Sequence, residues 1–205
     1  MENHEEIKLC LCGSQQEFSD CRGLSEETIE RLHASIHEIG HLLTLPLEAQ
    51  AHISLKNPCA LCDGDEGNQK SVAHVGYDPN YTLPLPIDIV YSLAGGASEV
   101  ACGLNPTMQP KEFGDFPDGM ENDLEDLRNH CDATDEKIWP ELTKVLQDCF
   151  SEIVSQFRGV SEQMKGLSRL LREREELTSK ELDLSFFDRA GMQSSRSHFR
   201  NGSPE

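Results

Sequence analysis

Five residues, His37-Glu38-Ile39-Gly40-His41, constrain this chain more than any others. They form an H-E-x-x-H pattern within a stretch of helical period, where Ile29, Leu32, Ile36, Ile39 and Leu43 recur at spacings of three and four. Residues four apart on a helix stand one turn apart on one face, so both imidazoles can turn to a single ion. Glu38 follows the first histidine and can reach a water held by that ion. The fold must therefore supply a helix here and close further groups over its polar face. The same pattern also arises by chance on surface helices, where His and Glu are common. Other parts of the chain have to decide between the two.

The helix has legible ends. Ser25 suits the N-cap, Glu26 and Glu27 suit the positive end of the helix dipole, and Pro46 stops the helix. Ala51–Leu55 and Ser71–Tyr77 read as short strands from their β-branched content and alternation. The Gly-, Asp- and Pro-rich stretch between them reads as a loop. A second helix is expected from Ile87 to about Cys102, with Pro86 in its first turn, where a missing N–H costs nothing. Gly95 and Gly96 lower its propensity, which suggests close packing against another helix. Asn105–Asp118 reads as a loop, and a third helix starts near Gly119. Thr134 to about Arg158 and Val160–Leu177 read as helices, and Ser179–Phe187 as one more short helix. These elements predict a mainly α fold with a small β-sheet (α+β). The expected organisation is an N-terminal cysteine-containing arm (residues 1–23), one domain (24–188) and a disordered tail (189–205).

Composition removes several function classes. A net charge of −19 over 205 residues argues against nucleic acid as a partner, because phosphate contacts need clustered Lys and Arg. No apolar run approaches the roughly 20 residues that span a bilayer, so no membrane association is expected. The start, MENHEEIK, lacks the apolar stretch of a signal peptide. A cytoplasmic location is expected, and the eight cysteines then read as reduced thiols or metal ligands rather than disulfides.

Catalytic zinc usually takes three protein ligands and leaves a fourth position for water. His37 and His41 supply two. Candidates for the third are Asp123, Glu99, His33 and His74. His33 shares the helical face, but three ligands on one straight helix would span about 12 Å at 1.5 Å per residue, too far for bonds of about 2 Å. His33 therefore reads as a flanking polar residue. Spacing alone does not choose between Asp123 and Glu99. Cys59 and Cys62 have zinc-ligand spacing, and Cys10 and Cys12 could complete a second zinc site if the arm folds back; unpaired reduced thiols are the alternative. Cys102, Cys131 and Cys149 fall in helical stretches and read as small core residues.

Three segments together resemble a known family. His37-Glu38-Ile39-Gly40-His41, then Leu93-Ala94-Gly95-Gly96-Ala97-Ser98-Glu99, then Gly119-Met120-Glu121-Asn122-Asp123-Leu124 come in the order seen in the peptidase domain of FtsH-type ATP-dependent zinc metalloproteases. The leucine-, glutamate- and arginine-rich run Leu167–Leu177 also looks like that family's closing helix. The resemblance covers roughly residues 25–187. It implies an FtsH-peptidase-like zincin domain with Zn2+ as cofactor, Asp123 as third ligand and Glu38 as catalytic base. It also implies Glu99 and Asn122 as residues that orient the ligands. No G-x-x-x-x-G-K-[ST] occurs in this sequence, so what the resemblance implies is a stand-alone relative without the AAA ATPase module.

Two functions follow as expectations. One is a zinc metalloendopeptidase that hydrolyses flexible or unfolded polypeptide segments and is ATP-independent by itself. A separate ATPase or unfoldase is a possible partner, and a homo-oligomer a possible assembly. The other is a non-catalytic zinc-binding regulatory or interaction protein that retains the peptidase fold.

Overall fold

The computed structural model describes residues 26–55, 73–105, 108–110, 120–130, 139–178 and 180–182. The H-E-x-x-H segment lies on α1, Glu26–Thr44, as its spacing predicts. Leu32, Ile36, Ile39, Leu42 and Leu43 are buried along one side of that helix. A single 3₁₀ turn, Leu47–Ala49, follows. The chain then enters β1, His52–Ser54, and later β2, His74–Gly76, both inside the stretches expected from sequence. Helix α2 runs Leu85–Cys102 with Pro86 in its first turn. Helices α3, Glu121–His130, α4, Trp139–Arg158, and α5, Ser161–Arg174, complete the helical part. A third strand, β3, spans Glu176–Thr178.

The molecule is thus mainly helical with a three-stranded antiparallel sheet in the order β2-β1-β3. Ile53 on β1 lies opposite Val75 and Leu177. Ile53 and Leu177 are fully buried, and Val75 packs against the same core, so this face of the sheet meets the helices. The other face carries His52 and Ser54, with His74 and Glu176 opposite Ser54.

Helix α2 is the central element, and α1, α3, α4 and α5 all pack on it. Its sequence permits this. From Ser92 to Val100 every residue is buried, and most are small. Burying each leucine or isoleucine contributes about 1.5–3 kcal/mol relative to exposure. The glycines set the approach, as their low propensity suggested. A Cβ on Gly40 would overlap the Ala94 carbonyl, one on Gly95 would overlap the His37 ring, and one on Gly96 would meet the sulfurs of Met108 and Met120. Gly103 ends α2 in the left-handed region (φ 81°) and donates its N–H to the α2 carbonyls, a stop that suits a residue without Cβ. Helix α4 buries Leu146, Cys149, Phe150, Ile153, Val154 and Phe157, a continuous stripe at helical spacing. Helix α5 docks through Met164, Ser168 and Leu171, and the Ser168 hydroxyl lies 2.6 Å from that of Ser35 on α1.

Two expectations are corrected. The helix predicted to run to Leu177 ends at Arg174, because Glu175 adopts a left-handed conformation (φ 66°) and turns the chain into the sheet. The Glu175 carbonyl accepts the Leu55 N–H at 2.8 Å, and its carboxylate meets Arg31 at 3.1 Å. Leu177 is therefore a strand residue beside Ile53. The second correction concerns the short helix expected at Ser179–Phe187: its described part, residues 180–182, is a turn. The Ser25 cap, the cysteine arm, the loop with Cys59 and Cys62, Cys131 and the C-terminal tail lie outside the described residues. Cys102 and Cys149 are buried free thiols, and burial pushes both up to about 12. No described helix is long and apolar enough to cross a membrane.

Candidate metal centre

Helices α1 and α2 meet along two stripes of four-residue period. His33, His37 and His41 of α1 face Glu99, Gly95 and Tyr91 of α2, in antiparallel order. The His41 ring lies 4.6 Å from the Tyr91 ring, centroid to centroid. The His37 ring fills the space above Gly95. The Glu99 carboxylate bridges His37 Nδ1 at 2.8 Å and His33 Nδ1 at 3.3 Å.

Helix α3 brings the third group. Leu124 and Leu127 bury one side of it, together with Met120 just before it. Asp123, in its first turn, faces α1: its Oδ2 stands 3.1 Å from His37 Nε2 and 3.4 Å from His41 Nε2. One ligand atom from each of His37, His41 and Asp123 falls within 4.8 Å of the others. Ligands 2.0–2.1 Å from a tetrahedral ion stand about 3.4 Å apart, close to the two distances from Asp123. The side chains are 13%, 3% and 22% exposed, which leaves a narrow way in.

The imidazoles are set for this task by their other nitrogens. His41 Nδ1 lies 2.8 Å from the Tyr91 carbonyl oxygen. A carbonyl only accepts, so Nδ1 carries a proton, and Nε2 is the nitrogen turned to the cluster. His37 Nδ1 is held in the same way by the ionised Glu99. Such outward hydrogen bonds fix ring orientation and raise ligand basicity. Two imidazole nitrogens and a carboxylate oxygen, each turned to the same point, fit a divalent metal ion.

Electrostatics agree. Burial alone would lower His37, but hydrogen bonds to Asp123 and Glu99 outweigh it and push the ring up to about 10. Burial alone would raise Asp123, but His41 and His37 hold its carboxyl well below the usual carboxylate range. Burial would likewise raise Glu99, and its bonds to His33 and His37 reverse the sign. Glu38 differs: burial pushes its carboxyl above the ordinary value despite the nearby His41 and His37. Its carboxylate also accepts the main-chain N–H of Val75 on β2. Glu38 thus stands between the histidines and the edge strand of the sheet.

Without metal, His37 at about 10 holds a proton at neutral pH, and a dication must expel it. Binding at pH 7 is therefore expected to release about one proton, with affinity rising about tenfold per pH unit up to the His37 value. Calorimetry in two buffers of different ionisation enthalpy measures this; no proton released would mean that the ring is already neutral.

Of the residues singled out in the sequence, His37, His41, Asp123, Glu99 and Glu38 come together here. Asn122 is exposed on the turn that carries Asp123 and makes no side-chain hydrogen bond among the described residues. His74 stays on β2, where its ring meets that of His52 at 6.0 Å, away from the cluster. His33 lies outside the group that could hold a metal, but it is more than a flanking residue, since it meets the second oxygen of Glu99. Sequence reasoning missed Tyr91 and Val75. Tyr91 had a signal, since residues 91, 95 and 99 share one helical face. No protein-family model matches the chain, and no curated protein matches it.

Proposed function

We propose that this chain is a zinc-dependent metalloendopeptidase acting on flexible or unfolded polypeptide segments. The observation that carries the reading is the convergence of His37, His41 and Asp123 with the Glu38 carboxylate beside them. Two imidazoles and one carboxylate suit zinc and also iron(II), and the glutamate inside the H-E-x-x-H pattern favours zinc. When bound, zinc supplies a Lewis acid that acidifies water and polarises a carbonyl.

The chain's own residues do the rest. His37, His41 and Asp123 hold the ion, and Glu99 and the Tyr91 carbonyl keep the rings aimed. Glu38 takes a proton from water as its oxygen attacks the scissile carbonyl carbon. As the C–N bond breaks, Glu38 passes that proton to the departing nitrogen. A raised carboxyl value suits a group that must hold a proton and then give it up. β2 is an edge strand, and its Val75 main-chain N–H meets the Glu38 carboxylate. An extended segment laid along that edge would bring its carbonyl to the site by β-augmentation. This geometry favours unfolded substrates over folded ones.

The ordered resemblance of three segments to FtsH-type peptidase domains supports the same reading. Two of those segments meet at the centre through His37, His41 and Asp123, and the third supplies Gly95 and Glu99. A cytoplasmic setting, a separate unfoldase and a homo-oligomer remain part of the proposal, resting on that resemblance and on composition.

The test is cleavage of an unstructured protein such as casein by the zinc-loaded chain. Cleavage should stop with a chelator and return with zinc. A chain that binds zinc tightly and cleaves nothing would instead be the non-catalytic zinc-binding protein.

A further inference from the structure

Beside the metal centre stands a proton donor that the scheme above leaves unused. The Tyr91 ring lies against His41, its centroid 4.6 Å away and its plane tilted by 37°. Tyr77, just past β2, meets the Tyr91 ring edge to face at 6.1 Å. These two ring contacts help to fix the Tyr91 ring beside the centre. The phenol lies in the field of the Glu38 and Asp123 carboxylates. Its hydroxyl makes no hydrogen bond to the described residues, and it is not among the polar atoms sealed from solvent. A donor in such a place, with no hydrogen-bond partner among the described residues, awaits an acceptor from outside.

We propose that the Tyr91 hydroxyl is a catalytic residue: it donates a hydrogen bond to the carbonyl oxygen of the scissile peptide as that oxygen gains negative charge. The inference rests on the peptidase reading. The electron bookkeeping is simple. A water oxygen bonds to the carbonyl carbon and loses a proton to Glu38. The C=O π pair moves onto oxygen, where Tyr91 O–H meets it. The pair then returns, the C–N bond breaks, and the proton on Glu38 goes to nitrogen. Tyr91 keeps its own proton throughout. The bond is weak to the neutral ground-state carbonyl and stronger to the charged oxygen, so it lowers the barrier rather than tightening substrate binding. Asp123 cannot do this work, because its charge repels an oxyanion, and Glu38 is occupied with the proton that it carries to the leaving nitrogen.

Tyr91→Phe tests it. This variant keeps the ring against His41, and the main-chain carbonyl that orients His41 is unaffected. Removal of one such donor typically costs about 10²–10³-fold in kcat. The expected result is a loss of that order with KM and zinc content unchanged. Binding gives a second readout: affinity for a phosphinic peptide, whose tetrahedral anion mimics the charged oxygen, should fall by a similar factor. Affinity for the cleaved product peptide should stay within about twofold. Wild-type kcat in Tyr91→Phe, or equal losses for both ligands, overturns the role and leaves the peptidase reading standing. A wild-type chain that holds zinc but cleaves no peptide overturns both.

Discussion

Glu38→Gln is expected to keep its metal and lose about 10²–10⁴-fold in kcat, the usual worth of a positioned general base. The amide has the shape of the acid and can still accept the Val75 N–H through its oxygen, so the helix and the edge strand should hold. What it lacks is a lone pair basic enough to take a proton from water. Metal content by plasma spectrometry and casein turnover separate the two effects. Full zinc with lost turnover is the expected outcome. Unchanged turnover would remove Glu38 from the mechanism, and with it the explanation of why a carboxylate is buried next to two imidazoles.

Asp123→Ala should strike one step earlier, at the metal itself. Losing a residue that merely orients a ligand typically costs about 10–100-fold in affinity. Asp123 offers the third candidate ligand atom, a carboxylate oxygen 3.1 Å from His37 Nε2 and 3.4 Å from His41 Nε2. Its removal should therefore exceed that range, and zinc should be lost on dialysis against a weak chelator. The metal-free chain gives an independent readout. His37 would retain Glu99 but lose the Asp123 contribution, so its ring should titrate at a lower pH than in wild type. The NMR shift of the ring protons reports this without any metal. Zinc retained at full stoichiometry would place the centre elsewhere.

The sequence carried the site unevenly. His37 and His41 on α1 were legible because they are local: a four-residue spacing on a helix fixes their relation regardless of the rest of the fold. Asp123 was not separable from Glu99 by pattern, since both are carboxylates far along the chain and their rank depends on how α2 and α3 dock. Docking places Glu99 against the far nitrogen of His37 and Asp123 against the near one. The resemblance to a family ranked them in that order, whereas periodicity could not. The strands were legible where β-branched residues marked them. β3 was hidden because Leu167–Leu177 reads as unbroken helix. The break falls on Glu175, a residue with no special liking for the left-handed region that stops the helix there. The acceptance of the Leu55 N–H by Glu175, a tertiary contact, is what local propensity cannot foresee.

The packing of the His37 ring over Gly95 couples two places in the gene. The volume that a methyl group would need at 95 is already taken by the imidazole at 37. A change at one is felt at the other: enlarging 95 first evicts the imidazole, whereas shrinking 37 first removes one corner of the candidate centre. In descendants of this chain the glycine should therefore outlast many more conspicuous residues, and disappear only in lineages that have already given up the histidine.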